Sequence, residues 1–201
     1  MTDAVTICNL ALGHVGARSK VSQVFPSPEN SEEARNCFIY YETARKAALE
    51  SFDWQFASRE VSLALYADDD TPVRWQYQYA WPDDCINPIE IIRLDFDDEP
   101  IAFATGISSD GTTKLIFTDE EDAALRFTAD IENPTLFPAT FEASFAWRLS
   151  MDLAIPLTRN RDVFMTCADG FAQSLPEARK ASANRGRHHK QQKASWHKGR
   201  F

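Results

Sequence analysis

Apolar residues recur at three- and four-residue spacing in Ala4, Ile7, Cys8, Ala11, Leu12 and Val15, which predicts a short amphipathic helix over residues 3–15. Thr2 or Asp3 can cap its start, and Gly16 stands just past its end. Ser22 to Ser31 contains Pro26 and Pro28 and reads as a loop. Asn30 with Glu33 then forms a capping box for a longer helix. Its apolar face is Ala34, Cys37, Phe38, Tyr41, Ala48, Leu49 and Phe52, and its charged face carries Glu42, Arg45 and Lys46.

Between Ser58 and Pro138 the period shortens to two, which predicts strands. Val61, Leu63 and Leu65 alternate with Glu60, Ser62 and Ala64, and Val73, Trp75, Tyr77 and Tyr79 with Arg74, Gln76 and Gln78. Leu115 and Phe117, then Leu125, Phe127 and Ala129, repeat the pattern between charged or turn-forming breaks. From Pro138 the helical period returns: Phe141, Phe145, Leu149 and Leu153 recur every four residues up to Pro156, expected to end or kink that helix. A last helix starts near Asn160 or Asp162 and presents Phe164, Ala168, Phe171, Ala172 and Leu175 on one face. After Ala183 apolar periodicity stops, and no internal repeat is found.

The pattern predicts an α+β fold: an antiparallel helical bundle from the N- and C-terminal helices, with an inserted, mainly antiparallel β region. The divisions are 1–57 and 138–182 for the helices, 58–137 for an acidic β-rich region and 183–201 for a basic arm. Trp54, Phe56, Phe141 and Phe145 are expected in the core, where helix meets strand. At 201 residues, 44% hydrophobic and 25% charged, the chain can bury such a core unaided. No run is long and apolar enough for a membrane span, and Met1-Thr2-Asp3-Ala4 lacks the basic start of a signal peptide, so a cytoplasmically made protein with no membrane partner is expected. Cys8, Cys37, Cys85 and Cys167 are far apart in sequence and read as reduced, buried thiols.

Charge divides the chain at Ala178. Residues 1–178 carry 13 Lys and Arg against 30 Asp and Glu, while residues 179–201 carry 8 basic residues and no acid. Within the body, residues 66–135 hold 17 acids and only four bases, Arg74, Arg93, Lys114 and Arg126. An acidic body repels nucleic acid, whereas a basic terminus suits a nucleic acid or an acidic protein surface.

Catalytic patterns are scarce. His14 is the one histidine outside the tail, and a lone helix histidine is usually structural. The seven glycines form neither a GxxxxGK[ST] loop nor a GxGxxG turn, so nucleotide chemistry, catalysis and cofactors are not expected. Asp95, Asp97 and Asp98, or Asp119 to Asp122, lack the spacing of a Ca²⁺ loop and read as solvated turns, so no metal is expected. The tail is the compositional outlier: Arg185, Arg187, Lys190, Lys193, Lys198 and Arg200 supply charge, and His188, His189 and His197 supply donors. Trp196 and Phe201 supply aromatic anchors for a pocket, which favours a docking arm over a merely solvating terminus.

Several strings, in order, resemble the tail tubular protein A family, the head-to-tail adaptors of tailed phages. They are the first helix with Gly16, then Leu49-Glu50-Ser51-Phe52-Asp53-Trp54-Gln55-Phe56-Ala57, and Trp75-Gln76-Tyr77-Gln78-Tyr79-Ala80-Trp81-Pro82-Asp83-Asp84-Cys85. Phe137-Pro138-Ala139-Thr140-Phe141 and the closing Pro176-Glu177-Ala178-Arg179 complete a resemblance that covers nearly the whole chain. The acidic middle and the histidine-containing end after Arg185 depart from the family pattern. The resemblance implies a virion protein, assembled in the host cytoplasm, that forms a ring, generally dodecameric, between the portal protein and the tail nozzle. DNA would pass through its lumen without specific binding, the basic arm would reach the portal or a neighbouring subunit, and the β region would meet the nozzle or tail fibres. The competing reading is a DNA-binding accessory protein whose arm neutralises phosphates.

Overall fold

The computed structural model describes residues 3–67, 74–92 and 100–185. The fold is α+β, with four helices and two small antiparallel sheets. Helix α1 (Ala4–Val15) starts where the Asp3 side chain accepts from the Thr6 N–H at 2.7 Å. It ends at Gly16, whose φ of 78° would strain any other residue. The side-chain amide of Asn9 then clasps the backbone N–H and C=O of Val21 at 2.8 and 2.9 Å, which holds the loop after α1 against the helix.

Helix α2 (Glu32–Glu50) is capped by Ser31, not by Asn30 as the sequence suggests. Ser31 has the extended backbone of a cap, and its hydroxyl accepts from the Ala34 N–H at 3.2 Å; with Ala34 three residues on, it is a simple cap and the expected box with Glu33 does not form. Helix α3 (Ala139–Thr158) buries Phe141, Phe145, Leu149 and Leu153 completely. It packs against α1, α2 and α4 and so forms the shared wall of the helical core. Pro156 lies within α3, which continues to Thr158 and stops at Arg159, whose φ of 52° turns the chain. A proline so near the end removes one hydrogen bond from a turn that is already closing, so the chain breaks two residues later than expected.

Helix α4 (Arg161–Arg185) runs three residues past the expected limit at 182. Of the expected face, Phe164 and Leu175 pack on the helical core and Ala168 and Phe171 are half-buried, while Ala172 is exposed and Cys167, Ala178 and Ser182 are the buried positions. Gly170 adds a close approach. A Cβ there would lie 2.5 Å from the Trp147 ring, so the backbone of α4 rests directly on that indole. The other face of Trp147 stacks on His14 at 3.5 Å between ring centroids. One aromatic ring thus sets the spacing of α1, α3 and α4.

Strands β1 (Ser58–Ser62), β6 (Ala124–Ala129) and β3 (Cys85–Ile92) form one sheet in the order β1-β6-β3. Strands β2 (Tyr77–Ala80), β5 (Lys114–Thr118) and β4 (Phe103–Ile107) form the other, in the order β2-β5-β4. Tyr79, Ile91, Ile116, Leu125 and Phe127 from both sheets meet in one small core. The middle strands β5 and β6 are covered on both sides, so Thr118 and Thr128 are buried beside the apolar residues. Alternation identifies such strands without telling which face is wet. Pro88 falls in β3, an edge strand with register shifts on both sides of it, where the missing N–H is tolerated. Val61 on edge strand β1 is 38% exposed, and Leu65 makes only an isolated bridge with Tyr79. Trp75 lies outside the named strands, and Val73 lies outside the described residues.

The junction between helices and strands is aromatic. Trp54 is 1% exposed, and its indole N–H donates to the Ala48 carbonyl at 2.9 Å. Its ring packs edge-on against Phe141 at 4.9 Å. Phe56 is half-buried and packs on Phe137 and Phe141 at 6.0 and 4.8 Å. Replacing Trp54 by Ala is expected to cost about 3–5 kcal/mol; an unchanged midpoint in urea denaturation would remove Trp54 from the core. Gly170→Ala is expected to cost about 1–3 kcal/mol by forcing α4 off Trp147. Combining it with Trp147→Leu, which clears the space, should recover part of that loss.

Candidate functional site

The basic docking arm expected from sequence begins at the end of α4. Arg185 is the last residue of that helix and is exposed. Arg187, His188, His189, Lys190, Lys193, Trp196, His197, Lys198, Arg200 and Phe201 lie outside the described residues. What the structure resolves is the root of the arm. Ser182, 6% exposed, accepts from the Gln55 N–H at 3.0 Å through its hydroxyl. One turn earlier Arg179 donates to the Ser51 carbonyl at 2.6 Å, and its guanidinium lies 5.6 Å from the centre of the Phe52 ring. Two contacts more than 120 residues apart in sequence therefore clamp the end of α4 onto the turn between α2 and β1. Ala183, Asn184 and Arg185 project beyond the clamp, so the 8 basic residues of 179–201 start from a fixed point on the body.

A second charged feature was misplaced by sequence reasoning. Arg45, assigned to the solvent face of α2, has no exposed surface. It donates to the Ile131 carbonyl at 2.8 Å, to Glu42 at 2.6 Å and to the Asp130 carboxylate. Burial acts to lower the Arg45 pKa, but the hydrogen bonds it donates to Asp130 and Glu42 outweigh it and the net shift is upward. Lys46 adds a longer pairing to Asp130 at 3.5 Å. The signal was present in the helical period, since Arg45 falls four residues after Tyr41 and three before Ala48 on the apolar face.

The four cysteines and His14 pack into or against the protein's two cores. The four cysteines are free and buried. Burial, aided by Asp84, pushes the Cys85 thiol up to about 12. Interaction with the neighbouring Cys37, with burial, raises the Cys8 thiol as well. His14 is held below its ordinary value by burial against Trp147. Asp110, at the β4–β5 turn, is brought down to about 2 by the Ser108 hydroxyl and by the N–H and hydroxyl of Thr112. Asp119 accepts from the Gln76 N–H at 3.0 Å, while Glu121 and Asp122 beside it are exposed. Asp95, Asp97 and Asp98 lie outside the described residues. Among the described residues no group of three or more His, Cys, Asp or Glu side chains is placed to hold a metal ion. Among the same residues no helix is long and apolar enough to cross a membrane.

A cleft of about 380 Å³ opens at the far end of α4 from the arm, between the carboxyl ends of α1 and α3 and the amino end of α2. Val15 and Leu157 form its apolar wall, and Glu32, Glu33 and Arg18 stand on it. Sequence reading gave no hint of it, because its three sides come from residues 15–19, 32–33 and 157–158. No protein-family model matches the chain, and no curated protein matches it.

The buried guanidinium yields a direct test. Asp130→Asn leaves Arg45 without its main counter-charge and is expected to cost about 3 kcal/mol. The double variant Arg45→Met with Asp130→Asn should recover much of that stability. Chemical denaturation of the three proteins checks both statements, and equal losses in single and double variants would contradict them.

Proposed function

We propose that the protein is a structural head-to-tail adaptor of a tailed phage, a ring subunit between the portal protein and the tail nozzle. The observation that carries the reading is the separation of charge on a fixed frame. A basic, aromatic-ended stretch leaves from the clamped end of α4, while 17 of the 30 acids fall in residues 66–135. In such a ring the acidic region lines or flanks the DNA path and denies phosphates the basic contacts that give non-specific affinity. The arm carries Arg185, Arg187, His188, His189, Lys190, Lys193, Trp196, Lys198, Arg200 and Phe201 to the portal or to a neighbouring subunit. Ordering a segment on contact costs free energy, so the aromatic residues are the expected source of net affinity and the charges the source of steering. The β region is assigned to the nozzle or tail fibres, DNA to passage without specific binding, and the assembled protein to the virion. No catalytic role and no cofactor enter this reading.

The second reading, a DNA-binding accessory protein, is favoured by one fact: residues 179–201 hold 8 bases and no acid. The two readings differ in which tail residues matter. For the adaptor, Trp196→Ala with Phe201→Ala should abolish ring formation on purified portal, as seen by negative-stain imaging, and leave DNA mobility shifts untouched. For the DNA-binding protein, the aromatic pair is dispensable. Neutralising Arg187, Lys190, Lys193, Lys198 and Arg200 would then abolish a DNA affinity that falls about five- to eightfold for each phosphate contact per decade of salt. Rings that form on the portal without Trp196 and Phe201 would defeat the docking role of the arm.

A further inference from the structure

We infer that the cleft between α1, α2 and α3 receives residues 186–201 of a second copy of this chain. The cleft has the chemistry of an acceptor for a basic, aromatic-ended peptide. Val15 and Leu157 offer an apolar wall, and Glu32 and Glu33 offer carboxylates. The carboxyl ends of α1 and α3, each carrying the negative end of a helix dipole, add to them. Against these stand Arg18 and the amino end of α2, so the balance on the cleft is negative. Residues 186–201 carry five Lys and Arg, no acid, and Trp196 and Phe201. The volume, about 380 Å³, lies at the small end of ligand pockets and suits one aromatic anchor with a basic neighbour at its mouth.

Position selects a second copy over the chain's own tail. The cleft lies beside the start of α4, and the arm leaves from its end. The 25 residues of α4 separate them by about 37 Å. Returning along its own helix, the chain would use about eleven fully extended residues to cover that distance, which brings Trp196 only to the rim. A neighbour's arm meets no such limit, so both anchors are available to the cleft. Donor and acceptor at opposite ends of one molecule make a heterologous contact. Such contacts propagate head to tail and close into a ring when the rotation permits. The inference rests on the ring reading for its geometry and names the contact between subunits that the ring reading leaves open.

The test is photo-crosslinking of the full chain. Phe201→p-benzoylphenylalanine and, separately, Trp196→p-benzoylphenylalanine are each mixed in equal parts with ¹⁵N-labelled unmodified chain at high protein concentration and irradiated. Crosslinks joining light tail to heavy residues 15–19, 32–33 or 157–158 are expected. Their yield should fall several-fold in a Glu32→Gln, Glu33→Gln background and with added salt. Crosslinks confined to one isotope, crosslinks elsewhere on the body, or a yield indifferent to both glutamates would each overturn the proposal. The same mixture imaged on purified portal separates the two readings. Rings with no cleft crosslink sink the cleft and spare the adaptor, while cleft crosslinks with no rings do the reverse.

Discussion

A guanidinium with no exposed surface holds the two halves of this protein in register. Removing Arg45 from water costs several kcal/mol, which is tolerable only if its donors meet acceptors of fixed position. Asp130 and the Ile131 carbonyl supply them from the end of β6, and Glu42 supplies another from the same helix. Asp130 in turn donates its backbone N–H to the Asp84 carbonyl at 2.8 Å, and the Asp84 carboxylate pairs with Arg59 of β1. A single buried charge on α2 thereby locates the exit of β6 and the entry to β3 and, through them, edge strand β1. Sliding α2 by one residue would strand the charge, so the seam tolerates little alternative packing.

The helical half is organised differently, by contact area. Burial of the α3 side chains Phe141, Phe145, Leu149 and Leu153 is worth roughly 1.5–3 kcal/mol each, a non-directional gain that would accept several arrangements. Direction comes from the Trp147 ring, stacked on His14 and covered by Gly170. The result is a stiff frame whose last element, α4, is clamped at Ser182 and Arg179. Stiffness matters for the proposed role, because an arm grafted on a fixed root searches a smaller volume for its acceptor.

Charge separation then has a mechanical meaning. The acids of residues 66–135 belong to the β region and its turns, and the bases of 179–201 begin at the end of α4, clamped beside the turn that leads into β1. Under the proposed role, a subunit built this way would repel a polyanion over most of its acidic body and keep the basic residues of 179–201 for a protein contact. In a ring, these two properties would serve passage of DNA and cohesion of subunits respectively, without either compromising the other.

The sequence by itself determined the helices, most of the strand-bearing segments, the α+β class and the charge zones. These depend on periodicity, caps and composition, which act over a few residues. Near misses were also local: Ser31 in place of Asn30 and two extra residues after Pro156 reflect backbone geometry that spacing does not encode. The helical period already set Arg45 on the apolar side of α2, but only the tertiary structure supplied the Asp130 and Ile131 acceptors, 85 and 86 residues away, that make its burial tolerable. Tertiary structure alone decided how closely α4 approaches α3, because no period shows that Gly170 must pass a tryptophan from another helix. The anchored root of the arm and the three-sided cleft are of the same kind. Each is assembled from segments whose meeting depends on the whole chain having packed, and sequence periodicity is silent about which distant faces meet.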